Sequence, residues 1–336
     1  SRLALGLAEG IGLGFGQAVH VPAFRAAGAE VVAIAGSTAE RAKAVAERLR
    51  IPRAVGGWRE LVDDPMIDAL SIALPPAVQA EVVVAAAATG KHVFCEKPAA
   101  VTVAQAEAMV EMVERAGVVH AIDFLFPEIP AWREARRLVP LLGELHNISL
   151  LWHVQTRPKA LDSWKRDPAQ GGGVVGAFAS HALYNLEWLT GRPITAIPWS
   201  AEGTDLDGTQ VSLSTTLGLS GVQVYVSVDT QGAGGHRVRI VSERGTLKLD
   251  NTSADYVRGF LLRVQWRNEL TQELVAPVRL TDTDTRALDR VLLVLATVPV
   301  VRRFLAAVAG GPAVTPNLHD GLRVQRWRER LTSSTW

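Results

Sequence analysis

The sequence predicts an α/β chain in two parts, a doubly wound parallel sheet followed by an α+β domain built on a large open sheet. Three observations carry that prediction. The first part alternates short, uniformly apolar runs with helical patterns, as parallel βαβ units covered on both faces do. Past Phe124–Pro130 several runs alternate polar and apolar residues instead, as in a sheet with one wet face. A length of 336 residues also exceeds most single domains. The boundary is placed between residues 123 and 124, giving domains 1–123 and 124–336. The last helix is a candidate to pack back on the first domain.

Taken in order, Leu7–Gly12 reads as a strand entering a glycine-rich turn, and Gln17–Ala27 as the helix after it. Glu30–Ala35 (EVVAIA) is a buried strand, and Ala39–Leu49 an amphipathic helix of alternating charge. Ala69–Ala73 (ALSIA) is the third strand, followed by an alanine-rich helix around Gln79–Thr89. His92–Cys95 and Val118–Ile122 read as strands flanking a helix at Val103–Ala116. Beyond the boundary, helix Ala131–Leu142 leads into strand-like runs at Leu145–Val154, Gln210–Leu217, Gly221–Asp229, Arg237–Ser242 and Thr246–Leu249. Between them His181–Leu189 is helical. Asp289–Val308 is a long apolar helical pattern carrying Pro299, too polar at its ends and too interrupted to be read as a membrane span.

Hydrophobic residues make up 48% and charged residues 21% of the chain, an ordinary globular balance. A net charge of +1 gives no reason to expect nucleic acid or an anionic membrane as partner. Cys95 is the only cysteine, which excludes an internal disulfide and a cysteine-based metal cluster and suits a reducing cytoplasm, the expected location. The apolar run Leu3–Val19 lacks a basic leader and is broken by Glu9 and by glycines, so it is read as neither export signal nor span.

Gly12-Leu13-Gly14-Phe15-Gly16 follows a strand and opens a helix. Glycine there lets the backbone approach a pyrophosphate, and the helix N-terminus offers free N–H groups and positive dipole. The spacing is G-x-G-x-G rather than G-x-G-x-x-G, and a glycine-rich turn without ligand is the plainer reading of the motif alone. At the end of the second strand an acid would hold a ribose 2′-hydroxyl. Here stand Gly36, Ser37 and Thr38, with Arg41 one turn on. Small hydroxyls and a cation suit a 2′-phosphate, so NADP(H) is expected over NAD(H). The same residues also read as a helix N-cap and a solvated arginine.

The stretch Gly90-Lys-His-Val-Phe-Cys-Glu-Lys-Pro98 resembles a signature of the glucose–fructose oxidoreductase/inositol dehydrogenase (Gfo/Idh/MocA) family. Gly12–Phe24 (GLGFGQAVHVPAF), Gly171–Leu189 (GGGVVGAFASHALYNLEWL) and Pro316–Gln325 (PNLHDGLRVQ) resemble three further family segments in the right order. The resemblance implies a Rossmann domain followed by a domain with a large, mostly antiparallel sheet. It implies hydride transfer between a nicotinamide and a carbon of a sugar, polyol or similar compound. It makes Lys97 the lysine that contacts cofactor ribose and reacting oxygen, and His181 the proton-transfer group. The expected cofactor surface adds Leu74, Pro75, Gln79 and Glu96 to Gly12, Gly14, Phe15, Gly16, Ser37, Thr38, Arg41 and Lys97. A homo-oligomer, dimer or tetramer, through the C-terminal sheet is also implied.

The sequence departs from the family at Ala177 and Tyr184, where aspartates are usual, at Gln79, where histidine is usual, and at Glu9, where an apolar residue is usual.

Read from the residues, Lys97 sits at the carboxyl end of a parallel strand, where ligands bind; a surface lysine paired with Glu96 is the plainer alternative. His181 titrates near neutrality without help, although an isolated histidine is more often structural. Tyr184 shares its helical face and could donate a proton or hold substrate. Trp152, His153, Arg157, Lys159, Trp164, Lys165 and Arg166 form an aromatic and basic stretch that could stack on a sugar, Trp164 foremost, or be a solvated loop. His146, His153, His236 and His319 form no metal pattern with acidic neighbours, and no required metal is expected. Three readings stand: an NADP(H)-dependent oxidoreductase of a polyhydroxylated small molecule, a catalytically weakened nucleotide-binding sensor or structural subunit, and a reductase of a non-sugar ligand.

Overall fold

The computed structural model describes residues 2–7, 14–154, 164–253, 255–276 and 285–332. The chain divides into two compact units, one formed by residues 1–125, 169–171 and 293–326, the other by residues 126–168, 172–292 and 327–336.

The first unit is a six-stranded sheet of β1 (Arg2–Leu7), β2 (Glu30–Ala35), β3 (Arg53–Val55), β4 (Ala69–Ala73), β5 (His92–Cys95) and β6 (His120–Ile122), in the order β3-β2-β1-β4-β5-β6. Every pairing is parallel. The order runs outward from β1 in one direction and then from β4 in the other, which opens a crevice at the carboxyl ends of these two strands. β1 lies at Arg2–Leu7, ahead of the expected Leu7–Gly12. The run LALGL is apolar throughout, and it pairs with β2 on one side and β4 on the other. Residues 8–13, with Glu9 and Gly12, lie outside the described residues.

A π-helical turn, Gly16–His20, runs into α1 (Val21–Ala26). Then come α2 (Ala39–Leu49), α3 (Arg59–Val62), α4 (Pro76–Ala88) and α5 (Val103–Ala116). Thr102 caps α5 through a reciprocal capping box with Gln105, and Gly117 ends it in the left-handed conformation, the two signals that fix helix ends. α8 (Thr285–Val308) carries Val291–Val308, long and apolar enough to cross a membrane by length and composition. Its Val300, Val301 and Phe304 are fully buried in one core with Val21, Phe24 and Phe94, and the three phenylalanines meet edge to face. That is how a core helix behaves. α9 (Leu318–Thr332) follows; Gln325 donates to the Val101 carbonyl at 2.6 Å.

In the second unit α6 (Pro130–Leu138) passes into a 3-10 turn at Val139–Leu142. The single helix expected over Ala131–Leu142 is shorter because Pro140 has no N–H to donate. β7 (Leu145–His153), β8 (Ile194–Thr204), β9 (Gln210–Leu219), β10 (Val222–Asp229), β11 (Gly235–Ser242), β12 (Gly245–Asn251), β13 (Leu261–Trp266) and β14 (Thr271–Val275) form one sheet. Its order is β14-β13-β12-β11-β7-β10-β9-β8, antiparallel except where β7 meets β10. One face is apolar, with Ile148, Leu150, Val224, Val226, Val238, Ile240, Leu247 and Leu249 buried. Arg237, Arg239 and Lys248 alternate with them on the wet face. β8 is an edge strand that contains Pro198, and its register against β9 shifts between Ala196 and Trp199, across that proline. An edge strand is the position in which a sheet tolerates proline.

Candidate functional site

The glycine turn opens directly into helix: the Ala18 N–H reaches the Gly14 carbonyl at 3.1 Å, and Gly16 begins the π turn after Phe15. Gly12 lies outside the described residues. At the carboxyl end of β2, Ser37, Thr38 and Arg41 are exposed. The Thr38 hydroxyl accepts the Arg41 N–H at 3.3 Å and so caps α2, while the Arg41 guanidinium donates to the Ser37 hydroxyl at 3.3 Å. A Cβ on Gly36 would lie 3.0 Å from the Ala42 nitrogen, so the strand end and the helix start are close. The cap and the cation are therefore features of one arrangement, and the cation with Ser37 suits a phosphate.

Leu74 and Pro75 leave β4 half-buried and lead into α4. Gln79, on the first turns of α4, is fully buried. Its amide donates to the carbonyls of Glu96, Pro98 and Ala99 at 2.7, 3.0 and 3.0 Å. Expected to touch cofactor, Gln79 is placed beneath the loop after β5 and holds it. Lys97 stands on that loop, half-buried, with a cis peptide to Pro98, and its N–H reaches the Glu96 carboxylate at 3.1 Å.

Under the same loop lies a cluster that no sequence spacing exposed. His20, fully buried, directs Nδ1 to the Ser71 hydroxyl at 2.8 Å and Nε2 to the Glu96 carboxylate at 2.9 Å. The Asp123 carboxylate is 3.6 Å from the same nitrogen and accepts from the Thr297 hydroxyl at 3.3 Å. Burial alone would lower the His20 pKa, but attraction to Asp123 and Glu96 outweighs it and raises the pKa to about 9. Burial, followed by repulsion from Glu96, pushes the Asp123 carboxyl up. His20, Glu96 and Asp123 bring three potential ligand atoms within 4.8 Å of one another; their spacing here is that of hydrogen-bonded groups. Burial pushes the Cys95 thiol up as well, which leaves a structural rather than a reactive cysteine.

In the second unit, Gly172 is required by close approach: a Cβ there would run into the Trp164 carbonyl. Trp164 is half-buried in a 3-10 turn, Trp164–Arg166, and Arg166 is tied to Asp205 at 3.3 Å and Thr209 at 2.6 Å. Arg157 and Lys159 lie outside the described residues. The side-chain amide oxygen of Gln210 accepts the Val175 N–H at 2.9 Å. That anchors a π-helical segment, Val175–Ala179, which continues into α7 (Ser180–Thr190). α7 carries His181 and Tyr184, both buried, while Ala177 on the π segment is half-buried.

The His181 ring packs 5.3 Å from Phe126 and 6.0 Å from Trp152, centroid to centroid. Trp152 stacks on His236, which Phe126, Trp132 and Phe260 enclose. Within this aromatic nest the indole N–H groups of Trp132 and Trp152 and both ring nitrogens of His236 have no hydrogen-bond partner among the described residues. On α7, one turn beyond His181, both side-chain polar atoms of Asn185 also have none there. Buried polar groups of this kind are where water or a polar ligand binds. Sequence reasoning singled out none of His20, Asp123 and Asn185, and considered His236 only as a possible metal ligand. Lys97 belongs to the first unit; His181, Tyr184 and Trp164 belong to the second.

Residues 10–124 match a family model described as an oxidoreductase family with an NAD-binding Rossmann fold, and residues 132–248 match the GFO/IDH/MocA C-terminal domain. An uncharacterized oxidoreductase of Synechocystis sp. is 31% identical, covering 94% of this chain and 90% of the relative. A D-xylose 1-dehydrogenase (NADP(+)) of Haloferax volcanii is 33% identical over 54% of this chain and 55% of its own length. The solved structure of a levoglucosan dehydrogenase with NADH and levoglucosan has the same fold at a TM-score of 0.82 and 22% identity, covering 99% of this chain and 97% of that one.

Proposed function

The chain belongs to the GFO/IDH/MocA oxidoreductase family, and from that premise we propose that it is an NADP(H)-preferring dehydrogenase of a sugar-like or other polyhydroxylated small molecule. The observation that carries the cofactor choice is the end of β2, where Gly36 replaces an acid and Arg41 stands hydrogen-bonded to Ser37. A 2′-phosphate would meet a guanidinium and a hydroxyl there, and no carboxylate occupies positions 36–38 to repel it. The pyrophosphate would lie against Gly12–Gly16, at the helix N-terminus. The relative of Haloferax volcanii, named for a sugar and for NADP(+), supports both halves of the reading.

When bound, the nicotinamide supplies the acceptor or donor of hydride. The protein's part is to hold the reacting oxygen and to move one proton. Lys97, at the carboxyl end of β5, orients that oxygen through its ammonium. His181 takes the hydroxyl proton in oxidation and returns it in reduction, with Tyr184 able to assist. The ring nitrogens of the aromatic nest and the Asn185 amide, which have no hydrogen-bond partner among the described residues, offer a polyhydroxylated ligand hydrogen-bonding groups. A dimer or tetramer through the wet face of the eight-stranded sheet and a cytoplasmic location complete the proposal.

Titration of the protein with NADP+ and NAD+, followed by a screen of sugars and polyols with each, tests it. Tighter NADP+ binding and turnover of a polyol are expected; tighter NAD+ binding overturns the cofactor assignment.

A further inference from the structure

One side chain joins the two functional segments of the first unit. His20 ends the π turn that begins at Gly16, so it is rigidly connected to the glycine turn. Its ring lies edge-on to Phe15 of that turn, centroids 5.6 Å apart, and edge-on to Phe94 of β5 at 5.2 Å. From there it reaches three strands at once: Ser71 in the middle of β4, Glu96 just past β5 and Asp123 just past β6. Glu96 uses one carboxylate oxygen on His20 and the other on the Lys97 N–H. The path from the turn to the lysine backbone is thus a continuous series of packed and hydrogen-bonded groups.

We propose that His20 is the positioning residue for Lys97, a latch through Glu96 that makes Gly14–Gly16 of the nucleotide turn and the lysine loop move as one body. The inference rests on the reading of Gly12–Gly16 as the pyrophosphate site. A fully buried ring that gives one N–H to a hydroxyl and the other to a carboxylate has its orientation fixed by both. The groups facing it are Glu96, Asp123, Ser71 and the aromatic edges of Phe15 and Phe94, and the two carboxylates keep it protonated through neutral pH. A charged, two-donor ring resists rotation in a way a neutral, one-donor ring does not. Occupancy of the turn would therefore reach Lys97 without direct contact between ligand and lysine.

The test uses the whole chain labelled with 13C at lysine Cε, the Lys97 signal being assigned by its loss in Lys97→Arg. The probes are 2′-phosphoadenosine 5′-diphosphate and ADP, which carry the pyrophosphate but neither the nicotinamide nor its ribose. In the wild type, saturation with the tighter probe shifts the Lys97 signal. In His20→Ala the probe still binds, and the shift falls to less than half. His20→Gln, which keeps a donor toward Glu96, restores most of it. A merely structural histidine would not give that rescue pattern at Lys97. Glu96→Gln, which preserves shape and leaves Asp123 as the carboxylate facing the His20 ring, carries the same expectation of a reduced shift should His20→Ala fail to fold. A shift of wild-type size in either His20→Ala or Glu96→Gln overturns the latch, as does the absence of any Lys97 shift in the wild type with probe bound. Failure of both probes to bind overturns the nucleotide-turn reading instead, and the latch with it.

Discussion

The imidazole of His236 lies flat on the indole of Trp152, ring centroids 4.5 Å apart and planes within 6° of parallel. Burial lowers the His236 pKa to about 3, so the folded protein holds this ring neutral. The folded pKa lies below the unfolded value of about 6.5, so the stabilisation is present above that value and is lost as pH falls through it toward 3. Near pH 5 the loss from this ring is on the order of 2 kcal/mol. His236→Phe keeps a stacked ring and removes the titration. Its urea midpoint should fall less than the wild type's between neutral pH and about pH 5. His120, whose pKa burial and the neighbouring His319 lower to about 4, leaves a residual acid slope. An unchanged slope in His236→Phe would show that this histidine is not buried neutral.

Gln79 supports the lysine loop through three carbonyls. Gln79→Leu fills similar space but leaves those acceptors without their donor. A loss of about 1–3 kcal/mol is expected from unpaired buried carbonyls. Thermal or chemical denaturation reads it, and stability equal to wild type would show that the loop does not depend on this amide.

Arg41→Ala should weaken NADP+ binding by about 1.5–3 kcal/mol, the value of a charge-assisted contact, and leave NAD+ binding nearly unchanged. Calorimetric titration of both nucleotides checks it. A constant ratio of the two affinities would place the 2′-phosphate elsewhere.

His181→Ala should lower kcat by about 10²–10⁴, the usual contribution of general acid–base catalysis, and Lys97→Ala should do at least as much harm. Steady-state kinetics with a polyol found by screening decides it. Near wild-type turnover in His181→Ala would move the proton to Tyr184 or water.

The parts of this fold legible in the sequence are those whose signals are local. Ala39–Leu49 carries its own cap at Thr38, and His92–Cys95 is an apolar run closed by Pro98. β3 spans three residues and begins with arginine, which is too short for a period to show. β8 and β14 are the edge strands of the second sheet. β14 is exposed or half-exposed along its length, so its sequence shows little apolar alternation. β13, one strand in from that edge, likewise escaped detection. Among site residues, Lys97 and His181 sit in contiguous motifs. His20, Ser71, Glu96 and Asp123 come from four separate segments, and only the parallel strand order brings them together. Asn185 lies on α7 one turn from His181, yet an asparagine in an apolar helix gives no sign that its amide has no hydrogen-bond partner among the described residues.

The central claim is hydride transfer between a carbon of a polyhydroxylated substrate and a nicotinamide. The direct measurement incubates the protein with NADP+ and a panel of sugars and polyols deuterated at carbon, then analyses the cofactor by mass spectrometry. Reduced cofactor carrying the deuterium, formed by the wild type and strongly diminished in Lys97→Ala, is the predicted result. Tight nucleotide binding with no labelled reduced cofactor across the panel would contradict it and would favour a protein that senses the nucleotide without turning it over.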